Sequence, residues 1–237
     1  MTKTLILGAV AAALFAGNAS SSDFSLDGSV ALTSDYRYRG ISQSDDEAAI
    51  QGSINLNHTS GLHAGVWASS VDFNDPEYSE ATLEADYTVG YSFNVSSLGV
   101  DVGYIYNTLP HGKAFDKDKD YGEVYGVVDW KGIDLGVNWT NDGYMESGQS
   151  TYVFVGYSHE FGIVTLGAEV GQTFFDEEDV FDNGEDKYQN FKVFGSVSIL
   201  EDLGIEVAYL GTDLKESDIG GLSWAENTVV GTVTLNL

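Results

Sequence analysis

The sequence predicts an all-β protein: an antiparallel, up-and-down transmembrane β-barrel of about twelve strands. Three observations carry this. An N-terminal export signal is followed by no apolar run long enough for a spanning helix. Long segments then alternate apolar and polar residues. The connections between those segments alternate long and short.

The export signal comes first. Lys3 supplies a positive start, Leu5 to Phe15 is an unbroken run of apolar or small residues, and Gly17-Asn18-Ala19 places small residues at the −3 and −1 positions of a cut after Ala19. The run is about half the roughly 20 residues that a spanning helix needs. Residues 1–19 are therefore read as a signal peptide and 20–237 as one outer-membrane barrel domain. Without a spanning helix, only a closed barrel satisfies every backbone hydrogen bond inside a bilayer. Cysteine is absent, so neither disulfides nor thiolate metal sites contribute. The chain carries 37 acidic residues against 10 Lys and Arg. That balance argues against nucleic acid, whose phosphates need a basic face. The regular apolar and aromatic residues argue against global disorder.

The first mature segment sets the pattern. From Phe24 the even positions read Phe24, Leu26, Gly28, Val30, Leu32, Ser34, Tyr36 and Tyr38, and the odd positions are almost all polar or charged, ending in Asp35, Arg37 and Arg39. This period of two marks a strand with unlike faces. It persists for about 15 residues, where soluble strands average about 5–6. The same alternation covers 79–93, 98–107, 123–130 and 133–140, and weaker versions cover 47–58, 62–73, 151–160, 163–175, 188–200, 204–212 and 226–237.

The connections give an independent test. Short links at 58–61, 94–97, 131–132, 161–162 and 201–203 alternate with links at 40–46, 74–78, 108–120, 141–150, 176–187 and 213–225. Extracellular loops and periplasmic turns follow this rhythm, and a soluble sandwich has no reason to. Aromatics fall at two levels. Tyr36, Tyr38, Tyr104, Tyr106, Trp139 and Tyr209 are expected at the outer rim, and Phe24, Tyr91, Phe93 and Trp130 at the periplasmic rim. The C-terminal row Val229, Val233, Leu235, Leu237 suits recognition by the barrel-assembly machinery, although it ends in leucine and not an aromatic residue.

The segment Ser34-Asp35-Tyr36-Arg37-Tyr38-Arg39-Gly40-Ile41-Ser42-Gln43-Ser44 has a further meaning. Together with Gln51-Gly52-Ser53 and the stretch from Gly61 to Phe73, it resembles the TorF-type porins, exported proteins of Gram-negative bacteria without an assigned function. Tyr121-Gly122-Glu123-Val124-Tyr125 is a weaker match. The resemblance is specific over residues 30–75 and architectural beyond them. It implies a barrel and, by its name, a pore, and it brings no catalytic or substrate-binding residues.

If the polar rows face the lumen, the inward acids are Asp27, Asp35, Glu84, Asp86, Asp101, Glu123, Asp129, Asp134, Glu169 and Glu206, and the inward bases are Arg37, Arg39 and Lys192. Among these, Asp35, Arg37, Arg39, Glu84, Asp86, Asp101, Glu123 and Asp129 are the candidates for a constriction. Arg37 and Arg39 are expected to pair with acids of neighbouring strands such as Glu84, Asp86 or Glu123. Such a lumen either fixes the barrel's shape or favours cations. Acids in the outer loops, among them Asp45, Asp46 and the run 176–179, would concentrate cations at the mouth. Asp116-Lys117-Asp118-Lys119-Asp120 has the composition of a calcium loop, but Gly122 comes one position late and Val127 stands where a glutamate is needed. No metal site and no cofactor are expected. The histidines are His58, His63, His111 and His159; only His111 sits in an outer loop, which leaves little for an enzyme.

The leading expectation is a passive channel for small hydrophilic solutes in the cell outer membrane, with a preference for cations as the sharper of the two lumen readings. Its partners would be lipid and lipopolysaccharide, the solutes themselves and the assembly machinery. Two alternatives stay open: a narrow or plugged barrel with a structural or surface-binding role, and a secreted soluble β protein. Oligomeric state is not legible.

Overall fold

The computed structural model describes residues 23–73, 81–110, 113–114, 117–118, 120–143, 147–177, 180–181 and 183–237. The signal-peptide reading of 1–19, His111, and Asp116 and Lys119 of the calcium-like loop lie outside them. The alternating segments form the strands β1 (Phe24–Thr33), β4 (Ala49–His58), β5 (Leu62–Ser70), β6 (Leu83–Val95), β7 (Leu98–Thr108) and β10 (Tyr121–Trp130). They continue as β11 (Ile133–Thr140), β12 (Ser150–Phe161), β13 (Val164–Phe175), β14 (Lys187–Ser198), β15 (Leu203–Thr212) and β16 (Thr228–Asn236). Two small hairpins lie within connections: β2 (Arg37–Tyr38) with β3 (Ile41–Ser42), and β8 (Lys113–Ala114) with β9 (Lys117–Asp118).

The twelve long strands close into one antiparallel barrel, in the order β1-β16-β15-β14-β13-β12-β11-β10-β7-β6-β5-β4. β1 pairs with β16 through Val30↔Leu235 and Leu32↔Val233, so the ring has no free edge. The apolar rows point outward. Leu26, Val30 and Leu32 on β1, Val102 and Tyr104 on β7, and Leu135, Val137 and Trp139 on β11 are all exposed. A continuous apolar exterior of this extent is suited to hydrocarbon and not to water. The long connections all leave from one end and the short turns from the other. One of the two-residue turns, Lys131-Gly132, has positive φ at both residues (54° and 86°), the conformation that matches strand twist in a two-residue hairpin.

Inside, aromatic rings lie flat over glycines of the adjacent strand. Phe154 covers Gly136, its direct cross-strand partner, and Phe194 covers Gly167 in the same way. A Cβ at Gly136 would sit 2.1 Å from the Phe154 ring. Gly136→Val is therefore expected to push Phe154 off the wall and cost about 1–3 kcal/mol by overpacking. The unfolding temperature of the purified barrel in detergent checks this. Gly126→Ala, where an added Cβ makes only ordinary contact at 3.8 Å, is the control and should leave it unchanged.

The largest apolar core is not in the wall. It fills the long-loop mouth and gathers Tyr36, Ile41, Val71, Phe73, Leu109, Tyr188, Leu214 and Trp224 from separate connections and strand ends. This corrects two expectations. β1 does not run on to Tyr38 but leaves the wall after Thr33. Tyr36 and Tyr38 are not rim aromatics facing lipid: Tyr36 is buried in the mouth core and Tyr38 packs against it. A hairpin strand and a wall strand share the same period of two, so alternation could not separate them.

Candidate functional site

The segment after β1 turns inward. β2 and β3 pair as Arg37↔Ser42 and Tyr38↔Ile41, with Arg39-Gly40 as the turn. Both turn residues have positive φ, 47° and 87°, which a two-residue hairpin turn requires. The Gly40 side of the tip is fitted closely to the end of β15, two strands from β1 in the ring. A Cβ at Gly40 would meet the Thr212 side chain at 2.6 Å and the Gly211 carbonyl at 2.9 Å. Only glycine satisfies both the turn and this approach.

Arg39 reaches across the lumen. In the ring order, β11 and β12 stand opposite the β1–β4 pair from which the hairpin springs. The Arg39 Nη2 donates to Glu123 Oε1 and Oε2 at 2.7 and 2.8 Å, and its guanidinium lies over the Tyr152 ring at 4.3 Å and the Tyr38 ring at 4.7 Å. Asn138 donates to Glu123 Oε2 at 3.0 Å, so β10, β11 and β12 all engage the tip. Burial is the largest single influence on Arg39 and opposes its charge, but Glu123 together with Tyr38, Tyr121 and Tyr188 outweighs it and raises the guanidinium pKa further. Burial also pushes the Tyr38 phenol well above its usual value.

Arg37 secures the base. It ion-pairs with Asp35 and Asp46 of its own connection and donates to the carbonyls of Gly40 (3.2 Å), Trp224 (2.6 Å) and Glu226 (2.9 Å). Asp35, itself buried, accepts from Ser42 Oγ at 2.7 Å and Ser44 Oγ at 3.2 Å. Trp224 Nε1 donates to Asp45 Oδ1 at 2.8 Å. The expected pairing of Arg39 with Glu123 is therefore present. Arg37 instead finds its acids within the loop, because the inward turn carries it away from the β6 row.

Below the hairpin lies a cavity of about 1310 Å³. It runs from Tyr36 and Arg39 at the top to His58, Ser60 and Asn94 at the short-turn end. Of the remaining candidates, Asp86, Asp101 and Asp129 line it, whereas Glu84 is buried beside it at the mouth core. Asp101 accepts hydrogen bonds from Ser92, and His63 Nε2 lies 2.9 Å from it. Asp101 thus stands between Ser92 and His63. Lys192 pairs with Glu206 at 2.7 Å. Asp27 accepts from Asn55 and Asn57 at 2.9 and 2.7 Å. Among the described residues no cluster of three or more His, Asp or Glu side chains is arranged to hold a metal ion. Trp67, Tyr152 and Trp224 belong to the site without having been singled out in the sequence. The strict alternation of β12 could have placed Tyr152 inward, but nothing local marks Trp224.

Comparison with known proteins fits this geometry. A family described as "Bacterial protein of unknown function (Gcw_chp)" matches residues 16–236. No curated protein matches the chain in sequence. Among solved structures, the KdgM porin is similar with 8% identity and a TM-score of 0.53, covering 89% of this chain and 97% of that one. The NanC porin is similar with 12% identity and a TM-score of 0.51, covering 90% and 98%. At such identities the likeness is one of fold.

Proposed function

The chain belongs to the Gcw_chp family of bacterial proteins of unknown function, and from that premise we propose that it is a porin-like channel of the outer membrane that rests closed. One observation carries the reading: a hairpin docked across the lumen, above a polar cavity that continues to the short-turn end. A plain structural barrel needs no such arrangement, since the wall already closes on itself. The sequence resemblance to TorF-type porins and the fold of the NanC and KdgM porins point the same way. The exterior is matched to lipid, and the long-loop end faces outward, as in barrels of this class. The reading includes export through the N-terminal signal and insertion by the barrel-assembly machinery.

The solutes are small and cationic. Six carboxylates line the cavity, namely Asp27, Asp86, Asp101, Glu123, Asp129 and Glu169, against the three bases Arg37, Arg39 and Lys192. An acidic lumen attracts cations and repels anions. In planar bilayers with a potassium chloride gradient, the purified protein is expected to show brief openings whose reversal potential lies towards that of potassium. A reversal potential on the chloride side would overturn the cation preference. A steady, wide conductance would overturn the closed resting state.

A plugged barrel with a surface role is the second reading, favoured by the apolar core in the mouth. Removal of residues 37–42 separates the two. A gated channel then conducts continuously, and a plugged scaffold stays silent.

A further inference from the structure

Two carboxylates near the top of the cavity, Asp86 in its lining and Glu84 buried beside it, have no basic partner among the described residues. Glu84 and Asp86 lie two residues apart on β6 and so share its lumen face. No Arg, Lys or His among the described residues forms an ion pair with either. The charged neighbours of Asp86 are Glu84 and Glu123, and Glu123 is already taken by Arg39. Glu84 is only 8% exposed; the Tyr36 hydroxyl bonds to it, yet its Oε2 has no hydrogen-bond partner. With its amide turned so that the nitrogen faces Asp86, Asn107 donates to that carboxylate at 3.2 Å, a neutral contact. Buried carboxylates in this state hold a proton unless a cation beside them replaces it.

The surroundings are aromatic. Trp67 on β5 is the direct cross-strand partner of Asp86, which places the two side chains next to each other on the same face. Tyr36 meets Trp67 edge-on, with ring centroids 5.2 Å apart. Trp67, Tyr36, Tyr38 and Asp86 all face the cavity. A carboxylate pair flanked by aromatic rings suits a cation with both charge and apolar surface. A hydrated divalent metal would ask for more oxygen ligands.

We propose that Glu84, Asp86, Trp67 and Tyr36 form a binding site for small organic ammonium ions, entered from the short-turn end. This deepens the channel reading, on which it rests for its role in transport, by naming the solute class. The test uses the full mature protein in detergent and n-butylammonium chloride as the probe, followed by tryptophan fluorescence. Saturable binding is expected in the wild type. Asp86→Asn and Glu84→Gln should each weaken it about tenfold, the scale of a lost charge-assisted contact. Sodium butyrate and sodium chloride at equal ionic strength should produce no saturable change. Heat-modifiable migration shows whether each variant is folded, and either carboxylate variant alone suffices.

Absence of saturable binding in the wild type, equal affinity in a folded carboxylate variant, or equally effective competition by magnesium would each overturn the site. Failure of the channel reading is seen separately. If bilayers stay silent even after removal of residues 37–42 while butylammonium still binds, the channel is wrong and the site stands. If the channel conducts but butylammonium neither binds nor reduces the current, the site alone is wrong.

Discussion

Replacing Arg39 with alanine is expected to raise the open probability of the channel by roughly a hundredfold or more, because breaking a buried ion pair by removing one partner costs about 3–5 kcal/mol. The guanidinium is the hairpin's main polar attachment to the far wall. It bonds both Glu123 oxygens and lies against two tyrosine rings. In the alanine variant Glu123 keeps Asn138 but loses its cation, so docking the hairpin would bury an unpaired charge. The undocked hairpin instead leaves Glu123 in contact with water. Arg39→Lys should rescue closure only partly, since an ammonium cannot reproduce the paired bonds and the stacking together. Exchanging both partners, Arg39→Met with Glu123→Leu, should restore closure, because no charge is then buried alone. Single-channel recording of the four proteins checks this. An alanine variant as quiet as the wild type would show that the apolar mouth core holds the hairpin without Arg39.

Trp224→Ala is expected to loosen the mouth while the wall survives. Trp224 is 5% exposed and packs edge-on against Phe73 at 5.8 Å. Its carbonyl accepts from Arg37 and its indole N–H donates to Asp45, so one residue joins the last long connection to the hairpin base. Truncating a buried tryptophan typically costs about 3–5 kcal/mol. The strands do not share that loss, because none of their ladder bonds involves Trp224. Proteolysis of cells or proteoliposomes from the long-loop side should therefore cleave residues 34–48 or 213–227 at least about a hundredfold faster, as the open population rises. Heat-modifiable migration should be unchanged. Loss of the folded barrel band would show instead that mouth and wall unfold as one unit.

The parts legible in the sequence and those that were not differ in the range of the interactions behind them. The wall was legible because each strand reports its own two environments. Val102 and Tyr104 against Asp101 and Gly103 need only the pleat to sort lipid side from lumen side. The connections followed, since a two-residue turn such as Lys131-Gly132 is a local event. At the site, Glu123 and Asp86 were placed inward by the same logic, and the pairing of Arg39 with an acid followed from charge alone. Tyr36 and Tyr38 were misplaced, and Arg37, although inward as expected, was given the wrong acids, for a related reason. Their alternation is real, but it belongs to a hairpin inside the barrel.

By itself the sequence determined a closed, twelve-stranded barrel with an apolar exterior, an acidic polar lumen and long loops at one end. Only the tertiary structure decided that the first of those loops turns inward, that Arg39 at its tip reaches the opposite wall, and that Glu84 and Asp86 have no basic partner among the described residues. The physical reason is distance along the chain. Backbone alternation is encoded within a few residues, whereas the contacts of Arg39 with Glu123 and of Arg37 with Trp224 join groups 84 and 187 positions apart. Such contacts exist only once the ring has closed around the hairpin.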